Sequence, residues 1–197
     1  MTMELEKTSV PEKFLVNETK RFLPEQREVL EKGGYTVYEL TGKSISDLRE
    51  AGDDFWTTWP QKYPEFELQR SMRSEVAVNP NQLFLLGSNN KTFAEQESMV
   101  AKFSRDISVK IPGVKAIIGE APDYVELVFL SLPEHHLFGP DDDGDCRYTK
   151  TQTRVGSDLA YVGGFYFSNG LSIGCSSSGH CRDNLFIVPL IVPEGNK

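Results

Sequence analysis

The chain has 197 residues, of which 39% are hydrophobic and 25% are charged, and its net charge at neutral pH is -8. This length suits one domain with a small extension and allows a buried core without disulfide bonds. The acidic balance argues against nucleic acid as a partner, because phosphate binding requires a basic face. No apolar run approaches the roughly 18 residues of a membrane span, so membrane insertion is not expected.

The N-terminal residues show no signal for export. Residues 1–20 are polar and charged and lack the apolar stretch of a signal peptide. We expect them to form an arm that becomes ordered only where it docks. A virion surface and the cytoplasm both stay open as locations. The chain has three cysteines, and this odd number does not indicate a disulfide framework.

The first part of the chain predicts short helices and strands. Pro24–Lys32 is predicted to be a helix, because proline suits the first turn and two glycines follow the last. Tyr35–Leu40 is predicted to be a strand, and Ser44 or Ser46 to cap a second short helix. Residues 53–73 combine aromatic residues with prolines. They are predicted to be irregular and to pack rings onto the core, with a sugar-stacking platform as the alternative.

The middle of the chain contains the clearest helix. Thr92 and Glu95 form a capping box at its start, and its apolar residues recur at helical spacing. Before it, Glu75–Leu86 is predicted to form a strand, a turn and a second strand. After it, Val114–Ile118 and Tyr124–Leu130 are predicted to be strands, the latter because apolar residues alternate along it.

The C-terminal part is predicted to be rich in strands, namely Tyr148–Arg154, Asp158–Phe167, Leu171–Ile173 and Leu185–Val192. The stretch Phe165–Asn184 is rich in Ser, Gly and Asn, and we expect most of it to be an exposed loop rather than a buried strand. Helices early and strands late predict an α+β fold.

An acidic cluster is the first candidate metal site. Asp141, Asp142, Asp143 and Asp145 surround a glycine, and carboxylates at this spacing can bind calcium. The acidic residue that closes an EF-hand loop is missing. A solvated acidic turn is therefore the preferred interpretation, and calcium stays open as the one possible cofactor.

No catalytic arrangement stands out. Cys175, His180 and Cys181 lie close in sequence, but their spacing is not that of known zinc sites and a fourth ligand is not evident. The chain has no HExxH, P-loop or nucleotide-binding glycine motif, and no nucleophile beside an evident base. We therefore expect no enzymatic activity.

The segment Val155–Pro193 lacks five residue types altogether. Its 39 residues include no Lys, Glu, Gln, Met or Trp, although these types make up 42 of the 197 residues in the chain. Roughly eight of them would be expected in a segment of this length. Buried strands lose Lys and Glu, but an exposed loop without either is unusual.

The residues that are present resemble those of an antibody paratope. Tyr and Phe provide large contact areas at low entropic cost, and Ser, Gly and Asn provide adaptable hydrogen bonds. A flexible Gly/Ser loop would explain the serines but not Phe165, Tyr166 and Phe167. His180 and Arg182 add polar side chains that can anchor a ligand.

The flanks of this segment point to a family. Ala160–Gly163 and Asp183–Pro193 have the character of a fixed framework around exchangeable positions. With this pattern, mainly over residues 150–193, the chain resembles the variable proteins of diversity-generating retroelements, which include the phage major tropism determinant. The small variable proteins of archaeal viruses and candidate-phylum bacteria are the most similar group.

The resemblance implies a mechanism for the missing residue types. In that family a reverse transcriptase copies a template repeat with errors at adenines. Asn codons altered in this way do not yield Lys, Glu, Gln, Met or Trp. The five missing types of Val155–Pro193 match this set.

The resemblance also implies a C-type lectin fold. Residues 34–197 would form an α+β domain with mixed antiparallel sheets, two main helices and a variable region at about 155–193, after an arm and short helix at 1–33. By position, the exchanged, ligand-facing residues would be Phe165, Tyr166, Phe167, Ser168, Asn169, Ser172, Gly174, Cys175, Ser176, Ser177, Ser178, His180, Cys181, Arg182, Asn184 and Phe186. Tyr161, Tyr166 and Phe186 are the expected aromatic anchors. Calcium-dependent sugar binding is not expected, because the chain has no EPN or QPD triplet.

The predicted function is therefore hypervariable ligand binding, with a protein or glycan on a cell surface as the partner and the oligomeric state open. One alternative is a copper oxidase similar to the formylglycine-generating enzymes, using Cys175 and Cys181. The other is a structural assembly protein, in which exposed aromatic residues form a fixed interface between protomers.

Overall fold

The structure is a computed structural model that describes residues 19–58, 63–140, 145–166 and 169–194. The helices within these residues are α1 (Pro24–Lys32), α2 (Ile45–Glu50), α3 (Pro64–Leu68), α4 (Phe93–Lys110) and α5 (Ala121–Ser131). The strands are β1 (Thr36–Thr41), β2 (Phe55–Thr58), β3 (Arg73–Val78), β4 (Val114–Ile117), β5 (Tyr148–Val155), β6 (Asp158–Tyr166), β7 (Gly170–Ser176), β8 (Leu185–Phe186) and β9 (Leu190–Pro193).

The strands form two sheets. The first sheet contains β1, β3, β9 and β4 in that order, and all of its pairs are antiparallel. The second sheet contains β2, β7, β6, β5 and β8 in that order. Its central pairs are antiparallel, and its two outer pairs are parallel. Five helices together with two sheets confirm the predicted α+β class.

Helix α5 packs between the sheets and forms the centre of the main core. Its residues Tyr124, Val125 and Leu127 have no exposed surface. The helix contacts β1 of the first sheet and both β5 and β6 of the second. Val162 and Ile173 of the second sheet belong to the same buried cluster. The second sheet therefore has an inner face on the core and an outer face on the opposite side.

Helix α4 covers a second buried cluster. Its residues Val100 and Ile107 pack in a cluster that includes Leu30 of α1 and Ile191 of β9. The predicted capping box at its start is confirmed. The Thr92 side chain accepts a hydrogen bond from the Glu95 amide, and the Glu95 carboxylate accepts one from the Thr92 amide. The capping box therefore fixes the start of α4 at Phe93.

Other local predictions are also confirmed. Helix α1 has the predicted bounds, with proline in its first turn. Ser44 rather than Ser46 is the N-cap of α2, and its side chain accepts a hydrogen bond from the Asp47 amide. The prediction that residues 53–73 are irregular is wrong, because they contain β2 and α3, although Phe66 of α3 packs in the main core as expected. Residues 59–62 lie outside the described part. Residues 1–18 of the predicted arm also lie outside it.

The prediction of a strand at Tyr124–Leu130 is wrong, because this segment belongs to α5. A helix that is buried on all sides has no polar face, so its apolar residues carry no helical period. The local signals for a helix were Pro122 in the first turn and Asp123, whose Oδ2 accepts a hydrogen bond from the Glu120 amide at 2.7 Å.

The expected exposed loop over Phe165–Asn184 is wrong in its first half. Strand β7 occupies Gly170–Ser176, and its first five residues are buried. Glycine is required at position 170, since its φ is 88° and an added Cβ would lie 2.2 Å from the Asp54 carbonyl oxygen. Small residues in this strand therefore reflect close packing, and the exposed part of the loop begins after Ser176.

Two strand predictions are wrong in their bounds. The second half of Glu75–Leu86 is not a strand, because a turn of 3-10 helix at Pro80–Gln82 follows β3. Leu185–Val192 is divided between β8 and β9, which lie in different sheets. The proline at position 189 lacks a backbone N–H, so it interrupts a continuous strand there.

Candidate ligand-binding face

The outer face of the second sheet brings predicted site residues together. Tyr148 of β5 pairs with Gly163 of β6, which pairs with Ser172 of β7. Residues paired across neighbouring strands point to the same side of a sheet. The residues that alternate with them, including Val162 and Ile173, point into the core. Ser172 therefore shares the outer face with Tyr148.

Aromatic rings lie along this face. The rings of Trp56 and Tyr166 meet edge to face with centroids 5.5 Å apart. The rings of Tyr148 and Tyr161 are also 5.5 Å apart and nearly perpendicular. Trp56 is 50% exposed, so part of this aromatic surface is available to a partner. We call Trp56, Tyr148, Tyr161 and Tyr166 the aromatic row.

The phenol groups of the row remain neutral hydrogen-bonding groups at physiological pH. Burial raises the pKa of both Tyr148 and Tyr161. A hydrogen bond with Cys146, together with burial, raises the pKa of Tyr166 to about 12. Each phenol therefore provides an apolar ring and a hydroxyl that can donate a hydrogen bond.

Residues 177–184, which we call the recognition loop, are held through their backbone. The carbonyl of Ser178 accepts a hydrogen bond from the Phe93 amide at 2.9 Å, and the carbonyl of Arg182 accepts one from the Asn90 amide at 2.9 Å. The carbonyl of Asn184 accepts a third, from the Tyr148 amide at 3.0 Å. Because these acceptors are backbone atoms, they do not depend on which side chains the loop carries.

Lys150 pairs with Tyr161 on the outer face of the sheet and supports the same loop from beneath it. It is 1% exposed, and its Nζ donates hydrogen bonds to the His180 carbonyl at 2.7 Å and the Lys91 carbonyl at 3.0 Å. Burial lowers the pKa of Lys150. The ammonium group thus ties the loop to the segment before α4, again through backbone carbonyls.

A small cleft separates the loop from the sheet. Its volume is about 120 Å³. It is lined by Tyr148, Tyr161, His180, Arg182, Asn184 and Leu185. A cleft that encloses a drug-sized ligand usually has about 300–1,000 Å³. This one has room for a single side chain or a comparably small group.

Phe186 lies at another edge of the site. Its ring is 5.1 Å from the ring of Phe84, and the Arg147 guanidinium lies 5.6 Å from the Phe186 centroid. Phe84 also contacts Phe138, with ring centroids 5.5 Å apart. The partly exposed Phe186 therefore belongs to an aromatic and cationic patch beside the recognition loop.

The predicted site residues differ in exposure. The exposed ones are Asn169, Ser177, Ser178, Cys181 and Arg182. The partly exposed ones are Tyr161, Tyr166, Cys175, Ser176, His180, Asn184 and Phe186. The buried ones are Phe165, Ser172 and Gly174. Phe167 and Ser168 lie outside the described residues.

Phe165 is a correction to the predicted set. It is 6% exposed and packs in the main core, with its ring 6.2 Å from that of Phe129. The strand shifts its register between Gly163 and Tyr166, and this irregularity separates the neighbouring aromatic side chains. Phe165 therefore supports the framework, while Tyr166 remains partly exposed beside Trp56.

Gly174 and Cys175 were also predicted to face a ligand, but other parts of the protein cover them. An added Cβ at Gly174 would lie 2.3 Å from the Tyr161 ring, so the ring covers this glycine. Cys175 pairs with Ala160 and packs against the main core. Only a substitution that also moves the Tyr161 ring would be accommodated at position 174.

The metal candidates do not converge in the described residues. Asp141 and Asp143 lie outside the described part, and Asp145 is exposed. Among the described residues, no group of three or more His, Cys, Asp or Glu side chains is placed to bind a metal. Cys175 contacts the core, whereas Cys181 is exposed and its thiol donates to the Gly179 carbonyl.

Sequence reasoning missed three residues of the site. Trp56 was assigned to core packing, and Tyr148 and Lys150 were assigned only to a strand. The aromatic content of residues 53–73 was a signal for Trp56, and the sugar-platform alternative used it. For Lys150 no local signal exists, since lysine is rarely buried.

Comparisons with known proteins leave the family open: no family model, no curated protein and no solved structure matches this chain. Within the described part of the chain, no helix combines the length and apolar character that crossing a membrane requires.

Proposed function

We propose that this protein is a hypervariable ligand-binding protein that presents exchangeable side chains on a C-type-lectin-like scaffold. Its partner would be a protein or glycan on a cell surface. The protein binds and does not catalyse. The exposed side chains of the recognition loop and the aromatic row would form the contact surface.

One observation carries this proposal. The recognition loop is fixed by hydrogen bonds to its own carbonyls, while Ser177, Ser178, Cys181 and Arg182 expose their side chains. A loop held in this way keeps its path when its side chains change. Substitutions at surface positions without structural contacts usually change stability by about 0.5 kcal/mol or less. This arrangement suits a surface that must vary without unfolding.

Support for the lectin-like scaffold comes from the arrangement of the strands and sheets. The two sheets, the concentration of strands after residue 148 and the return of β9 to the first sheet are compatible with it. The missing residue types of Val155–Pro193 support exchange at adenines, as the family resemblance implies.

The size of the cleft favours a macromolecular partner. At about 120 Å³ the cleft is too small to enclose a drug-sized ligand. The aromatic row and the loop together offer a broader, open surface. Partly exposed tyrosines and an exposed tryptophan are typical of the residues that contribute most to protein recognition.

The gene provides the first test. A template repeat close to the gene should match the coding sequence of about residues 155–193 except at adenines, beside a reverse transcriptase gene. The mismatches should fall on codons of exposed positions such as Ser177 and Arg182, and not on Leu171 or Ile173. A complete genome with no such repeat would argue strongly against exchange of these residues.

A further inference from the structure

The cleft between the recognition loop and the sheet is lined mainly by polar side chains that can donate hydrogen bonds. Its described lining contains a guanidinium, an imidazole, a carboxamide and two phenols, and no acidic side chain. Donor groups gathered on one small volume point to an anionic ligand group.

Arg182 provides the charge. It is exposed, and among the described residues it forms no ion pair within 4.0 Å. Its electrostatic influence reaches both Tyr148 and Tyr161, where it lowers the pKa and partly offsets the effect of burial. The guanidinium therefore stands near both phenols with its hydrogen-bonding capacity available, and a guanidinium matches the planar geometry of a carboxylate.

His180 provides an independent observation. Its Nε2 is buried and has no hydrogen-bond partner in the described structure. A buried polar atom without a partner is unfavourable by about 1–3 kcal/mol, and few such atoms occur in a native protein. Because the His180 carbonyl is held by Lys150 at 2.7 Å, the residue is fixed beside the cleft. A ligand oxygen would give this nitrogen the partner that it lacks.

We propose that this cleft binds a carboxylate of the partner, such as the side chain of an aspartate or glutamate. Arg182 is the charged donor, Nε2 of His180 is a second donor, and the hydroxyls of Tyr148 and Tyr161 complete the site. This inference rests on the proposed ligand-binding function and names the chemistry that the present side chains recognise. Exchange of Arg182 would remove the charged donor, so the preference of the cleft for a carboxylate is specific to this sequence.

The test is an NMR titration of the full-length protein with two capped amino acids. N-acetyl-glutamate N-methylamide carries the carboxylate, and the corresponding glutamine compound is its neutral analogue of the same shape. We expect the glutamate compound to shift the signals of the Arg182 side chain and the Leu185 amide. The glutamine compound should bind about tenfold more weakly, because charge-assisted hydrogen bonds are lost.

Two variants and one control locate the site. Arg182→Gln should weaken binding of the glutamate compound about tenfold, and His180→Leu should weaken it several-fold. Arg154→Gln removes an exposed arginine of β5 that does not line the cleft, and it should leave the affinity unchanged. Equal affinity for both compounds, no binding, or unchanged affinity in Arg182→Gln would each overturn the proposal.

Titration with acetate distinguishes the sources of the carboxylate. Tighter binding of the capped glutamate assigns the cleft to a side chain of a protein partner, whereas tighter binding of acetate assigns it to a free small acid. This outcome is separate from the genetic test. A missing template repeat would remove hypervariability and leave a carboxylate site, while failure of the titration would leave the variable surface intact.

Discussion

The recognition loop and the turn after β1 are held by opposite means. In the loop, the hydrogen bonds to the segment before α4, to Phe93 and to β5 are accepted by backbone carbonyls, and the exposed side chains of Ser177, Ser178 and Arg182 make none of them. At the turn, the side chain of Glu126 is the acceptor. Its carboxylate accepts hydrogen bonds from the Thr41 amide at 3.0 Å, the Thr41 hydroxyl at 2.6 Å and the Ser71 hydroxyl.

Asp123 extends this second arrangement. Its two carboxylate oxygens accept hydrogen bonds from the amides of Met72 and Glu120, each at 2.7 Å. Asp123 and Glu126 are almost fully buried in α5. A contact made by a side chain fixes the identity of that residue, and a contact made by a carbonyl does not. The comparison predicts where this protein tolerates exchange and where it does not.

The largest effect is expected at Glu126. Glu126→Ala would leave the Thr41 amide and the Ser71 hydroxyl without their acceptor inside the protein. We expect the free energy of unfolding to fall by about 3 kcal/mol, measured by urea denaturation. Glu97→Ala removes an exposed carboxylate from α4 and should change it by less than about 0.5 kcal/mol. Equal losses in the two variants would mean that the hydrogen bonds of the Glu126 carboxylate do not stabilise the fold.

Asp123 should make stability depend on pH. Burial raises its pKa from 3.8 to about 6. Because the folded pKa lies above the unfolded one, this residue contributes stability that is present below 3.8 and lost as pH rises through about 6. Asp123→Asn cannot titrate there. The stability of the parent relative to this variant should therefore fall by about 2–3 kcal/mol between about pH 4 and pH 7.

Urea denaturation of both proteins across this pH range measures the difference. A relative stability that stays constant would contradict burial as the dominant influence on the Asp123 carboxyl. A relative stability that rises with pH would mean that the hydrogen bonds from Met72 and Glu120 outweigh burial.

A smaller and local effect is expected at Lys150. Lys150→Met keeps much of the buried volume but removes both hydrogen bonds to carbonyls. We expect hydrogen exchange at the amides of Asn90 and Phe93 to accelerate about tenfold, because their bonds to the loop open more often. Exchange at core amides of β6 should be unchanged. Uniform acceleration across the protein would instead identify Lys150 as a general stabiliser of the fold.

Local signals allowed much of the fold to be predicted. The capping box of Thr92 and Glu95 and the proline of α1 act within one helical turn, so the sequence alone reveals them. Helix α5 was missed because burial on every side removes its period. Lys150 and Trp56 were also missed, because they belong to the site through contacts between segments that lie far apart in sequence.

The candidate site was predicted in outline and corrected in detail. The composition of Val155–Pro193 indicated the recognition loop, where Ser177 and Arg182 are exposed as expected. It did not separate Phe165 in the core from Tyr166 on the surface, because a shift of strand register decides which side each ring takes. Such a shift depends on pairing with the neighbouring strand, which composition does not reveal.

The central claim is that the recognition loop keeps its path whatever side chains it carries. The most direct test is thermal and urea unfolding of a variant in which four exposed loop residues are replaced together. These residues are Ser177, Ser178, Cys181 and Arg182, and their replacements are residues such as Asn, Tyr, Ala and His. We expect its free energy of unfolding to lie within about 1 kcal/mol of the parent, whereas the single framework variant Ile173→Ala should lose about 2–4 kcal/mol. A loss in the loop variant as large as that of Ile173→Ala would contradict the account.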